Sequence, residues 1–334
     1  MQQEITVIYN QPDADKYGAF GEEKAELGVM DEVDAVHKAL VELGFAVRLL
    51  SLRPPLEQAI ETLKGMEGLV AFNLFEGFDG WPETEALMAG ALSSLRIRFT
   101  GCPSEALSLS LDKGKAKELL VSAGIDTARY QILTPATLSS FDIPYPCVVK
   151  PCREDASHGL SEESLVWEPD SLRKQVERMC SCYGGEAMVE EFIGGREFNV
   201  TVLGNDGSEV LPLSEIEYSL PGSLPRILTF AAKWEPESIY FKNTRAVCPV
   251  EVPFGLKTCI GDISRKAFKL LGCRGYARVD VRLDDHGRVN VLEVNPNPDI
   301  SPGNGAARQA LASGLTYAGF IRRIVDFAME RVEA

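Results

Sequence analysis

The sequence predicts an α/β protein, with a doubly wound parallel sheet in its N-terminal part and an antiparallel hairpin near its C-terminus. Two observations carry this. Between Ile5 and Asn73, short apolar runs alternate with helical patterns, the order that generates a parallel sheet. Between Gly275 and Gly303, in GYARVDVRLDDHGRVNVLEVNPNPDISPG, charged and apolar residues alternate on two strands around a turn at Asp285-His286-Gly287. A chain of 334 residues suffices for two or three domains and a sizeable core.

In chain order, Ile5 to Tyr9 is a strand. Asp31 to Leu43 is a helix with Val33, Val36, His37 and Leu40 on one face, ended by Gly44. Phe45 to Leu50 is a strand, Leu56 to Lys64 a helix and Gly68 to Asn73 a strand. Ligands of such sheets bind beyond the carboxyl ends of the strands. The loop there, Phe72 to Gly80 with Glu76 and Asp79 among glycines, suits a cleft as well as it suits an ordinary surface. A helix begins at Lys113 and runs to Ala123; a cation at that end opposes the helix dipole unless it reaches an anion held nearby. Tyr130 to Leu133 and Pro146 to Lys150 are strands. The second delivers Lys150 to a loop, Pro151 to Gly159, whose backbone and Ser157 hydroxyl can fold over phosphates.

Pro169 to Cys180 is a helix, and Met188 to Val200, MVEEFIGGREFNV, is a strand with a glycine break. Leu211 to Glu217 and Ile227 to Lys233 are strand-like. The polar stretch from Leu220 to Val247 has few helix or strand signals and suits a lid. Pro253 to Leu271 is a helix facing inward through Leu256, Ile260, Ile263, Ala267 and Leu270. Thr316 to Val332 is an amphipathic closing helix.

A net charge of -15 argues against nucleic-acid binding, which needs a basic face, but leaves room for an anionic small ligand held by local lysines and arginines. No apolar run reaches membrane-spanning length, and MQQEITVIYN lacks a secretory pattern, so the expected setting is cytoplasmic. Eight scattered cysteines lack zinc-ligand spacing and are expected as reduced thiols.

The hairpin carries the chemistry. Arg278 and Asp280 share one face of its first strand, and Glu293 and Asn295 project from the end of the second. Alternating charge is common on solvated strands, and Asp280 alone would be read that way. Two carboxylates, an amide and a guanidinium together are hard ligands that can hold Mg²⁺ against phosphate.

RVDV followed by LEVNPNP resembles the closing motif of the ATP-grasp ligases, above all the D-alanine–D-alanine ligase branch. LDKGKAKELLVSAGI, YPCVVKP and MVEEFIGGREFNV extend the resemblance over nearly the whole chain. It implies the ATP-grasp fold in three domains: an N-terminal substrate domain over residues 1–110, a central α+β lid over 111–188, and a C-terminal α+β domain with an antiparallel sheet over 189–334. It implies ATP as cofactor, with Lys113, Lys150, Ser157 and Lys233 on its phosphates. Glu190 and the backbone of Glu191, Phe192 and Ile193 would meet the adenine, Glu197 the ribose, and Leu292 the nucleotide pocket. Asp280, Glu293 and Asn295 would hold two Mg²⁺ ions, for which Mn²⁺ can substitute. Lys150, Lys233 and Arg278 would be catalytic. Relatives in this branch are dimers, so a homodimer is implied.

The departures fall on the substrate side. The family's amine-binding Glu has Glu26 as its nearest candidate. The Ser and Tyr that orient it are Ala156 and Trp234 here; its oxyanion Gly is Asp299, and its carboxylate-binding Ser is Asn304. With Glu76 and Arg278, these line the expected substrate site. The resulting expectation is an ADP-forming carboxylate–amine ligase. It would join small amino-acid or peptide substrates, other than two D-alanines, through an acyl phosphate. The alternatives are a divergent cell-wall D-alanine–D-alanine ligase and a nucleotide-binding regulator without turnover.

Overall fold

The computed structural model describes residues 3–12, 28–66, 69–78, 80–154 and 157–330. Asp13, Glu26, Gly68, Asp79, Asp155, Ala156 and Val332 lie outside the described residues. Strand β1 (Glu4–Asn10) pairs in parallel with β2 (Ala46–Leu52) and β3 (Val70–Leu74), and β3 with the short β4 (Arg98–Phe99), in the order β2-β1-β3-β4. The central strands β1 and β3 are buried on both faces, which is why they read as continuous apolar runs. One face, through Ile5, Val7 and Phe72, packs on Val33, Val36 and Leu40 of α1 (Val29–Glu42). The expected helix Leu56 to Lys64 is shorter, as α2 (Leu56–Glu61). Two helices escaped the sequence reading, α3 (Glu83–Ser94) and α4 (Ser104–Leu111). Their small and hydroxylated residues blur the apolar stripe. They pack through Met88, Ala89, Leu92, Ala106 and Leu107 onto Ile8 and Ala71 on the sheet's other face.

Helix α5 (Lys113–Ser122), capped by Asp112 accepting from the Lys115 N–H at 3.1 Å, leads into a second sheet. There β5 (Tyr130–Leu133), β6 (Cys147–Pro151), β7 (Leu165–Val166) and β8 (Ala187–Glu191) pair antiparallel in the order β5-β8-β6-β7. This sheet and α6 (Pro169–Cys182) enclose a core of their own, built on Val149, Val176, Met179 and Val189.

The third sheet is antiparallel. It contains β9 (Glu197–Gly204), β10 (Glu209–Val210), β11 (Ser214–Tyr218), β12 (Thr244–Val247), β13 (Gly275–Leu283) and β14 (Val289–Pro296), ordered β12-β11-β9-β13-β14 with β10 on β9. Helix α9 (Phe254–Leu270) covers it through Ile260, Ala267 and Phe268. Phe198, Val200, Val279 and Val281 join the same core as α3 and α4 of the first sheet. Helices α10 (Gly305–Ala312) and α11 (Tyr317–Met329) join the core that packs α1. The first and third sheets are thus welded by shared cores, while the second is attached more loosely.

The stretch between Leu220 and Val247 corrects an expectation. Ile227 to Lys233 is not a strand. It holds α7 (Phe230–Trp234), capped by Thr229, and is followed by α8 (Ile239–Asn243), capped by Ser238, and by β12. Helices of five residues are too short to show a period; their caps form them.

Candidate active site

The second and third sheets and the helices and loops around the first border one cavity of about 670 Å³, and every site residue singled out above that lies among the described residues lines it. Its floor is the β13–β14 hairpin. The register sets Arg278 opposite Asn295 and Asp280 opposite Glu293, with a bulge after Asp280. The Arg278 guanidinium donates to both Asp280 oxygens, at 2.8 and 2.9 Å. Asn199 of β9 donates to Asp280 Oδ1 at 2.7 Å. Asn295 Nδ2 donates to Asp280 Oδ2 at 3.0 Å and to Glu293 Oε1 at 3.3 Å. Burial alone would raise the Glu293 pKa, yet Lys113, Lys150, Arg278 and Lys233 together bring it down to about 2.

Those cations arrive from different elements. Lys113, at the start of α5, donates to the Glu154 carbonyl at 2.7 Å and stands 4.0 Å from Glu293. Lys150, at the end of β6, pairs with Glu190 at 2.7 Å. Lys233 sits on α7, whose first N–H bonds back to the Leu160 carbonyl at 2.9 Å. Burial and the nearby Arg278 lower its pKa, against the pull of Glu293 and Asp280, and among the described residues it makes no ion pair. Trp234 follows it, with its ring 6.3 Å from Phe230, which in turn stacks on His158 of the phosphate loop at 5.6 Å. Ser157 holds φ 66, a left-handed turn in that loop.

At the adenine end two expectations change. Glu190 spends one carboxylate oxygen on Lys117 and the other on Lys150, each at 2.7 Å, instead of offering them to an exocyclic amine. The N–H groups of Glu191 and Phe192 are already donated to Arg129 and Pro146 carbonyls, at 2.8 and 3.0 Å. The Ile193 N–H remains among the described residues, while the Ile193 carbonyl accepts from Arg282 at 2.8 Å. Glu197 receives Arg282 Nε at 3.0 Å and the Tyr218 hydroxyl at 2.7 Å, both on Oε2, leaving Oε1 for a ligand hydroxyl. Leu292 packs at the wall between the two ends.

At the opposite end stand Glu76, whose N–H is held by Asn10 at 3.0 Å, and Asp299, which accepts from Ser301 at 2.7 Å and from Asn304 Nδ2. Sequence reasoning missed Lys117, Asn199, Arg282 and Glu32 here. Lys117 lies one turn from Lys113, and Asn199 shares a strand face with Glu197, so spacing could have found both. Glu32 lies inside an apolar helix face and gave no such sign.

A family model of the D-Ala–D-Ala ligase C-terminus matches residues 119–326. A D-alanine–D-alanine ligase of Gluconobacter oxydans is 30% identical over 300 residues, spanning 89% of this chain and 93% of its own. The chain belongs to the D-alanine–D-alanine ligase family. This ligase is also 35% identical over 288 residues to an uncharacterized protein of Sinorhizobium fredii, covering 86% and 81% of the two chains. Its fold matches the Bacillus anthracis D-alanine–D-alanine ligase complexed with ATP, with a TM-score of 0.76 at 22% identity over 98% of this chain and 97% of that one. It is an ATP-grasp enzyme, an ATP-dependent, ADP-forming carboxylate–amine ligase. No helix among the described residues is long and apolar enough to cross a membrane.

Among the described residues no three His, Cys, Asp or Glu side chains cluster as a ready-made metal site. The donor set on the hairpin is smaller: two carboxylates, one held ionised, and an amide that presents Oδ1 when turned over. Such a set fits an ion that takes its remaining ligands from phosphate.

Proposed function

We propose that this ligase joins two amino-acid-like substrates other than two D-alanines, through an acyl phosphate. The observation carrying the reading is the convergence of Lys113, Lys150, Lys233 and Arg278 on Glu293 and Asp280 in one cavity. A carboxylate resists amine attack because its leaving group would be oxide. Attack by its oxygen on the γ-phosphorus expels ADP and gives an acyl phosphate. The amine then attacks the acyl carbon and phosphate leaves, which forms the amide. Lys150, Lys233 and Arg278 stabilise the charge that develops in both steps. Asp280, Glu293 and Asn295 would hold Mg²⁺, two ions in the family's pattern, whose charge supplements those cations on the phosphates. Glu197 Oε1 and the Ile193 N–H would meet the ribose and adenine, with Lys113 and Ser157 on phosphate.

We read the loosely attached second sheet, within residues 111–188, as the lid between a substrate domain (1–110) and a metal-bearing domain (189–334). Its closure with α7 would keep water from the acyl phosphate. Trp234, Asp299 and Asn304 stand where the family's D-alanine-selecting Tyr, Gly and Ser are expected, which supports other substrates. Coupled ADP release over a panel of amino-acid pairs tests this. Robust D-alanyl-D-alanine synthesis with other pairs inert would return the enzyme to the cell-wall reaction. ATP binding without ADP release from any pair would leave a regulator.

A further inference from the structure

Beside the substrate end of the cavity lies a chamber of about 10 Å³, which is room for one oxygen the size of water. Glu32 of α1, Asn73 of β3 and Tyr276 of β13 meet in its wall. Glu32, Glu76, Glu85 and Asn297 line both the chamber and the main cavity, so the two adjoin. Glu85 already receives Asn297 Nδ2 at 3.2 Å.

Three groups there are incompletely satisfied. Asn73 is 2% exposed, and its Nδ2 has no acceptor among the described residues. The direction of the amide is set, because its Oδ1 takes the Phe75 N–H at 3.3 Å; turned over, it would face one donor with another. Glu32, 4% exposed, accepts the Ile300 N–H on Oε1 at 2.8 Å, and among the described residues Oε2 has no donor. Tyr276 is 1% exposed, and its hydroxyl has no partner among the described residues. Burial, then Glu32, push its pKa well above the usual phenol range, so the hydroxyl keeps its proton. A cation in the chamber would meet the positive end of the Asn73 amide. An anion would meet Glu32, with Glu76 and Glu85 beside it. A neutral oxygen that carries a proton suits both groups: it accepts from Asn73 Nδ2 and donates to Glu32 Oε2, and the Tyr276 hydroxyl can supply a third bond. Burial, Asp299 and Glu76 raise the Glu32 pKa, and the same oxygen suits either protonation state, since it donates to the carboxylate and accepts from the acid. Buried polar groups left unpaired cost stability, and one oxygen relieves both costs.

We propose that Asn73, Glu32 and Tyr276 form a binding site for one neutral O–H group. In the enzyme without substrate the group is a fixed water, which ties α1, β3 and β13 together at the substrate end. A substrate whose side chain ends in a hydroxyl can put the same kind of oxygen there and displace the water. The site does not depend on the ligase reading, because both sources are distinguished by binding and not by turnover.

The test is a crystal structure of the full chain with a non-hydrolysable ATP analogue, at a resolution that shows ordered water. It is determined without an amino acid and after soaking in serine or alanine of either configuration. One oxygen should lie about 2.7–3.2 Å from both Asn73 Nδ2 and Glu32 Oε2. Calorimetry supplies the affinities. Where the serine hydroxyl replaces the water, serine should bind at least about tenfold tighter than alanine, the value of one hydrogen bond to a charged group. Asn73→Leu should erase that preference. Glu32→Gln, which turns an amide N–H toward the chamber, should reduce it as well and serves if Asn73→Leu does not fold. Equal binding of serine and alanine with the water in place assigns the site to water alone. An empty chamber with serine bound no better than alanine overturns the site, as does a metal ion inside it.

Discussion

Two carboxylates in this cavity are held by different means. Glu293 is kept ionised by a ring of cations from four elements, none closer to it than Lys113 at 4.0 Å, so it is free to bind a ligand. Glu293→Gln keeps the shape and removes the charge. Turnover should fall by about 10²-fold, the upper end for groups that orient a metal, with an unchanged far-ultraviolet spectrum; parental turnover would overturn the metal assignment. Glu190 is instead clamped between two ammoniums, and Lys117 also donates to Thr127 at 2.6 Å. Burial works against Glu190, but the two lysines outweigh it and lower its pKa, while burial pulls Lys117 down. The one carboxylate is shared by both lysines, with all three side chains buried. Glu190→Gln leaves two buried ammoniums unbalanced and should cost about 3–5 kcal/mol in urea unfolding. Because the folded pKa lies below the unfolded one, about 4.3, the stabilisation is complete above that pH. It is lost as pH falls through the folded value. Unfolding curves at pH 7 and below pH 4 should show the wild type losing what the variant never had.

The elements that carry the site are positioned by close approaches between backbones. Gly195, between β8 and β9, lies so near the Leu283 carbonyl at the end of β13 that an added Cβ would overlap it. This contact sets the start of β9, and with it Glu197 and Asn199. Gly195→Ala should therefore destabilise by about 1–3 kcal/mol and raise KM for ATP more than it lowers kcat, as steady-state kinetics at saturating amine would show. Gly101, with φ +88, plays the same part where an added Cβ would meet Asn297 Oδ1. That oxygen accepts the Cys102 N–H at 2.7 Å and fastens the first sheet to the loop after β14.

On the scale of the molecule, the second sheet has its own core, while the first and third share theirs. Nucleotide bound between the second and third sheets would couple them. At a hundredfold excess over its Kd, an ATP analogue should add about 2.7 kcal/mol to the unfolding free energy. The urea midpoint should shift accordingly, and much less in Lys150→Ala. An equal shift in both would place the nucleotide elsewhere.

The β13–β14 hairpin was legible residue by residue, because a strand's side chains alternate strictly and each strand's contribution is local. The same holds for β1, α1 and β6, whose apolar patterns are strong. Helices α3, α4, α7 and α8 were not legible: two lack a clean apolar stripe, and two are held by a single cap. Which carboxylate meets which cation was also beyond the sequence. Glu190 with Lys117, Asp280 with Asn199, and Glu32 with no cation among the described residues are pairings across sheets and helices far apart in the chain. Composition and local pattern supplied the chemical groups and their faces; only packing decided which charges were neutralised within the protein and which were left for a ligand.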